Sequence, residues 1–148
     1  MSAAVVLDST PLGILCHPRN PPQAVACRQW VDDLLAAGRR VIIPEIADYE
    51  VRRELLRRNS RVAIRNLDQL ALQLEYLALT TPMIRHAAEL WAQARNQGQQ
   101  TAANSTLDCD VIVAAPARSL GIQVIVATGN PAHLSRFVTA ADWQTITP

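Results

Sequence analysis

Asp8, Glu50, Asp108 and Asp110 are the residues of this chain best placed to do chemistry, because each stands in or beside the end of a predicted structural element. Asp8 closes the apolar run VVL, Glu50 lies inside PEIADYEVRREL, and Asp108 and Asp110 open LDCDVIVAA. In an open α/β sheet, acids at a strand end and in the first turns of following helices meet beyond the carboxyl edge of the sheet. Gathered carboxylates repel one another unless a cation offsets their charge, and hard divalent ions such as Mg2+ take oxygen ligands. The pattern therefore predicts a metal site.

Each acid also has a purely structural explanation. Asp108 lies two residues before Asp110, which is about 200° around a 3.6-residue helix, so a regular helix points the two apart. With Ser105 as N-cap, Asp108 fills the fourth position of a capping box and complements the helix dipole. For Glu50 the alternative is a solvent-facing helical acid near Arg53, with Glu45 and Asp48 as competitors for the functional role. Glu45 follows Pro44 and suits a first-turn acid. Asp8 is hardest to explain structurally, since an acid at the end of a buried strand is costly unless paired or solvated.

The elements that must carry these acids are legible from periodicity. AVVL reads as a strand followed by a turn and a loop containing Pro11, Pro18, Pro21 and Pro22. A helix is predicted from Pro22 to Gly38, then a buried strand RRVIIP passing into a helix that has Pro44 in its first turn and runs through about Arg58. Another helix covers SRVAIRNLDQLALQLEY, LALT forms a short strand, and a helix runs from Pro82 to Gly98. STLDCDVIVAAPARSLG reads as a capped helix with a kink or break at Pro116, IQVIVAT as a buried strand, and DWQTI as an edge strand. Strands alternating with helices imply a mainly parallel sheet covered on both faces.

Composition limits the class. A length of 148 residues fits one domain spanning residues 1–148, and 49% hydrophobic with 18% charged residues is ordinary for a globular protein. Cys16, Cys27 and Cys109 are odd in number and lack CxxC spacing, so neither a disulfide framework nor a zinc site is indicated and a reducing cytoplasm suits them. No segment approaches the roughly 20 apolar residues that span a bilayer, so no membrane role is expected. The net charge is only +1, yet all 14 basic residues are arginine. Arg52, Arg53, Arg57, Arg58, Arg61 and Arg65 form a cluster that is either a phosphate-binding face or a solvated helix surface. Trp30, Trp91 and Trp143 read as packing residues, and His133 as an exposed one.

Taken in order, VVLDS, IIPEIADYEVRREL, DCDVIVAAPARSLGIQVIVATGN and Phe137 resemble the PIN domain, in particular its VapC-like ribonuclease group. The resemblance covers nearly the whole chain. It implies a three-layer α/β/α fold with a mainly parallel four- or five-stranded sheet, and a Mg2+- or Mn2+-dependent endoribonuclease. It places the family's acids on Asp8, Glu50 and Asp110, with Asp108 as a further metal candidate and Asn130 where many members carry a fourth acid. Ser9 and Thr128 fall where the family has hydroxyls beside the acidic pocket, and Arg52, Arg53 and Arg57 are the expected RNA contacts. A homodimer, an antitoxin partner and a cytoplasmic location are further expectations. The competing expectation is a catalytically weakened PIN fold that binds RNA or a protein without cutting, which Asn130 favours.

Overall fold

The computed structural model describes residues 2–98 and 104–148, and the side chains of residues 104 and 105 also lie outside that description. In chain order the elements are β1 (Ala4–Leu7), α1 (Ser9–Leu15), α2 (Pro22–Ala36), β2 (Val41–Pro44), α3 (Glu45–Arg57), α4 (Arg61–Gln73) and β3 (Glu75–Leu77). They are followed by α5 (Thr81–Asn96), α6 (Asn104–Ser119), β4 (Val124–Thr128), α7 (Pro131–Leu134), β5 (Ala140–Asp142) and a 3-10 turn, Trp143–Thr145.

Among the described residues the five strands form one sheet in the order β3-β2-β1-β4-β5, and every neighbouring pair is parallel. The chain builds outward from β1 to β3 on one side and then crosses back to add β4 and β5 on the other. The strand order thus reverses between β1 and β4, where ligands of open α/β sheets bind. Because strand side chains alternate, Val5 and Leu7 point to one face and Ala4 and Val6 to the other. On the first face they meet Leu12, Leu15, Cys27, Trp30, Leu34 and Leu67 from α1, α2 and α4. On the second they meet Val113, Ala117 and Leu134 from α6 and α7, so the architecture is a three-layer α/β/α sandwich. Removing a fully buried side chain such as Leu34 down to alanine costs about 2–5 kcal/mol. Trp30 and Trp143 pack with ring centroids 5.5 Å apart, and Trp30 Nε1 donates to the Ile146 carbonyl at 2.8 Å.

The structure corrects several expected boundaries. The stretch after β1 is helix α1 rather than a turn and loop, because Asp8 caps it and Pro11 falls in the first turn, where the missing N–H has no helical partner to lose. Pro44 ends β2 and is the N-cap residue of α3 rather than lying in its first turn. The edge strand is Glu75–Leu77 rather than LALT, since pairing with Ile42, Ile43 and Pro44 selects that register over local apolarity. α6 runs unbroken through Pro116, held by buried Val113, Ala114, Ala115 and Ala117 around it. Ser105 falls within α6, and the expected Ser105 cap contact lies outside the described side chains. DWQTI is not a strand. β5 ends at Asp142, whose carboxylate accepts the Gln144 amide at 2.9 Å and starts the 3-10 turn.

Candidate active site

Asp8 sits at the carboxyl end of β1, beside the point where the strand order reverses. As N-cap of α1 it has extended backbone, and its Oδ1 accepts the Ser9 amide at 2.8 Å. Its Oδ2 accepts the Thr128 hydroxyl at 2.8 Å, and Thr128 Oγ1 in turn accepts the Asn130 amide at 3.1 Å. Thr128 ends β4 and is buried, so this chain of bonds ties the ends of the two central strands together. Gly129 permits the close approach, because a Cβ there would lie 2.8 Å from Thr10 Oγ1.

Glu50 reaches the same place from the second turn of α3, and Asp110 from α6. Asp8, Ser9, Thr10, Glu50, Arg53, Thr106, Cys109, Asp110, Thr128 and Asn130 line one pocket of about 350 Å³. Glu50 Oε1 and Asp110 Oδ2 are buried without a hydrogen-bond partner. Burial raises the Glu50 carboxyl above its ordinary range and the Asp8 charge adds to the shift, while a Cys109 hydrogen bond and Arg53 oppose it. Asp110 is also raised, by burial first and by Asp8, against the pull of His133 and Arg136. The Cys109 thiol is pushed up to about 11 by burial and by Glu50.

These carboxylates are hard oxygen donors, and two of them carry an orphaned oxygen and mutual repulsion, which is the donor chemistry a divalent cation satisfies. Among the described residues, no three His, Cys, Asp or Glu side chains stand close enough to form a metal cage outright.

Of the remaining sequence candidates, the structure gathers some and separates others. Ser9, Thr128 and Asn130 are in the pocket, whereas Asp108 is exposed on the far side of α6, in a groove with Ile84, Trp91 and Val111. Glu45 Oε1 accepts the Leu79 amide at 3.0 Å, and Asp48 accepts from the Tyr76 hydroxyl at 2.7 Å and from Arg52 at 2.9 Å. Arg52 bridges Asp48 and Asp68, and Arg57 pairs with Glu54, so neither lines the pocket; Arg53 does.

Sequence reasoning read His133 as exposed and passed over Arg136, whereas His133 is partly buried and the two approach Asp110 Oδ2 at 3.9 and 4.0 Å. His133 Nδ1 also lies 3.2 Å from Asn130 Nδ2. The available signal was their position just after β4, on the same sheet edge as Asp8.

Residues 5–134 match the PIN domain family, and the chain belongs to that family. No curated protein sequence matches it. Among solved structures, VapBC2 from Rickettsia felis bound to a DNA fragment from its promoter is similar, with a TM-score of 0.71 and 16% identity over 95% of this chain and 98% of that one. DNA-bound VapBC from Salmonella typhimurium gives 0.68 and 21% over 96% and 99%. Mycobacterium tuberculosis VapC20, described as a sarcin-ricin loop cleaving toxin, gives 0.66 and 15% over 98% and 100%. At these identities the likeness establishes a shared fold. Among the described residues no helix is long and apolar enough to cross a membrane.

Proposed function

We propose that this chain is a divalent-metal-dependent endoribonuclease that hydrolyses RNA phosphodiester bonds, acting as the toxin of a toxin–antitoxin pair. The observation that carries the reading is the pocket at the sheet's reversal point, which Asp8, Glu50 and Asp110 line together and where two of their carboxylate oxygens lack a hydrogen-bond partner. PIN domain membership and the likeness to VapBC assemblies and a toxin that cleaves the sarcin-ricin loop support it. Asp8, Glu50 and Asp110 would hold Mg2+ or Mn2+. Such an ion neutralises charge on phosphoryl oxygens and supplies an activated water.

The chain's own groups have separable tasks. Thr128 and the Ser9 amide fix both oxygens of Asp8, so its orientation does not depend on a ligand. His133 and Arg136 counter the burial of Asp110 and keep it closer to its ionised state. Arg53 offers a guanidinium at the pocket wall, suited to a phosphate oxygen. In this reading the partner is a small antitoxin protein, and the chain forms a homodimer in the cytoplasm.

The test is cleavage of single-stranded RNA by purified, partner-free protein with Mg2+ or Mn2+ and with EDTA. Cleavage that requires the ion and disappears in a folded Asp8→Asn variant is the expected result. A folded wild type that cuts no RNA with either ion would transfer the lead to a non-cutting RNA- or protein-binding module. That second reading draws on Asn130, a neutral side chain beside His133 where many family members have an acid.

A further inference from the structure

We propose that Tyr49 and Arg53 form a stacking subsite for an unpaired nucleobase next to the pocket, so that the protein grips single-stranded RNA by a base as well as by its phosphates. The proposal rests on the ribonuclease reading above and names how its substrate is held. Tyr49 is 57% exposed although it is a large aromatic residue, and no part of the hydrophobic clusters claims it. The Arg53 guanidinium carbon lies 5.2 Å from the centre of its ring. That distance is within the range of a cation–π contact, which steadies the ring without covering both of its faces.

Position makes the pair more than a surface contact. On α3, Tyr49 and Arg53 are one turn apart and about 40° apart around the axis, and Glu50 lies about 60° beyond Arg53 on the other side. Arg53 therefore stands between Glu50 and Tyr49 and itself lines the acidic pocket. Moving outward from the carboxylates, a strand of RNA meets a cation suited to phosphate and then a flat aromatic face. Single-strand binding sites combine these two features: a positive group tracks the backbone, and an aromatic ring stacks a base with little sequence preference. The other α3 arginines do not duplicate Arg53, since Arg52, Arg57 and Arg58 are paired with Asp48, Asp68 or Glu54.

The experiment measures binding separately from cutting. Wild type, Tyr49→Ala, Tyr49→Trp and Arg53→Gln are each mixed, in EDTA, with a single-stranded RNA carrying 2-aminopurine, a base whose fluorescence is quenched on stacking. Wild type and Tyr49→Trp should quench the base, and Tyr49→Ala should lose the quench and bind about tenfold more weakly. The two variants should differ in salt dependence. Arg53→Gln should lower the log–log salt slope by about 0.7, the value for one single-strand phosphate contact, and Tyr49→Ala should leave it unchanged. Unchanged quenching and affinity in Tyr49→Ala would sink the subsite, as would wild-type protein that binds no single-stranded RNA. A Tyr49→Ala variant that changes oligomeric state while RNA affinity holds would also sink it, by assigning the face to a protein interface. Cleavage with Mg2+ is assayed in parallel: wild type that quenches the base but never cuts overturns the nuclease reading alone and leaves the subsite standing.

Discussion

The two flanks of α3 carry acids with opposite fates. On one flank Asp48 accepts hydrogen bonds from Tyr76 and Arg52, and Glu45 accepts the Leu79 amide, so these acids fasten the helix to β3, to the segment after it and, through Arg52, to α4. On the other flank Glu50 keeps an oxygen buried without a partner and faces Asp8 and Asp110. Both flanks are acidic in sequence. The difference is that the first is already hydrogen-bonded within the protein, while the second keeps a buried carboxylate oxygen without a hydrogen-bond partner, a costly condition that the proposed metal would relieve.

The largest effect expected from this contrast is on rate. Asp8→Asn should lower RNA cleavage by about a thousandfold or more, measured in single turnover, while the thermal midpoint stays within a few degrees of wild type. Asp48→Asn should do the reverse: cleavage by folded protein persists, and denaturant titration reads a stability loss of about 2 kcal/mol from the broken Tyr76 and Arg52 contacts. Loss of cleavage in folded Asp48→Asn would erase the distinction between the flanks.

Metal should stabilise only through the unpaired flank. At about a hundredfold excess over its dissociation constant, Mn2+ should add about 2.7 kcal/mol to the unfolding free energy of wild type and of Asp48→Asn, and much less to Asp8→Asn. Equal gains in all three proteins would place the ion elsewhere.

A smaller effect concerns pH. The Glu50 and Asp110 carboxyls are raised in the folded protein, so their contribution to stability is complete below the unfolded carboxyl range and is lost as pH rises through their raised folded values. Glu54 has the opposite sign: held near 2 by its hydrogen bond with Arg57, it adds stability that is lost only as pH falls toward that value. Metal-free Glu50→Gln should therefore gain on wild type as pH rises from about 4 to about 7. The gain should stay below about 1 kcal/mol, because solvent screens a half-buried carboxylate. Thermal midpoints in EDTA across that range measure it, and parallel curves for the two proteins would refute the repulsion. Least of all should change at Cys109. With its thiol near 11, alkylation in metal-free protein should be slow at pH 8 and speed up about tenfold per pH unit, and a fast pH-independent reaction would contradict the acidic surroundings assigned to it.

Apolar runs and punctuating glycines in the sequence were enough to determine the alternation of strands and helices and the parallel sheet, because local periodicity is a property of the chain itself, whereas Asp8, Glu50 and Asp110 were singled out among its acids by the resemblance to the PIN domain. The separation of Asp108 from Asp110 was legible too, since helix geometry alone turns them apart. Only tertiary structure decided which acids were already satisfied. Glu45 and Asp48 are spoken for by Leu79, Tyr76 and Arg52, and the Tyr76 bond joins residues 28 positions apart. Likewise His133 and Arg136 reach Asp110 only because β4 lies beside β1, and Pro11 and Pro116 fit inside helices because a capping carboxylate and a packed core hold them there. Partnership between distant groups depends on which surfaces the sheet brings together, and no local pattern encodes that.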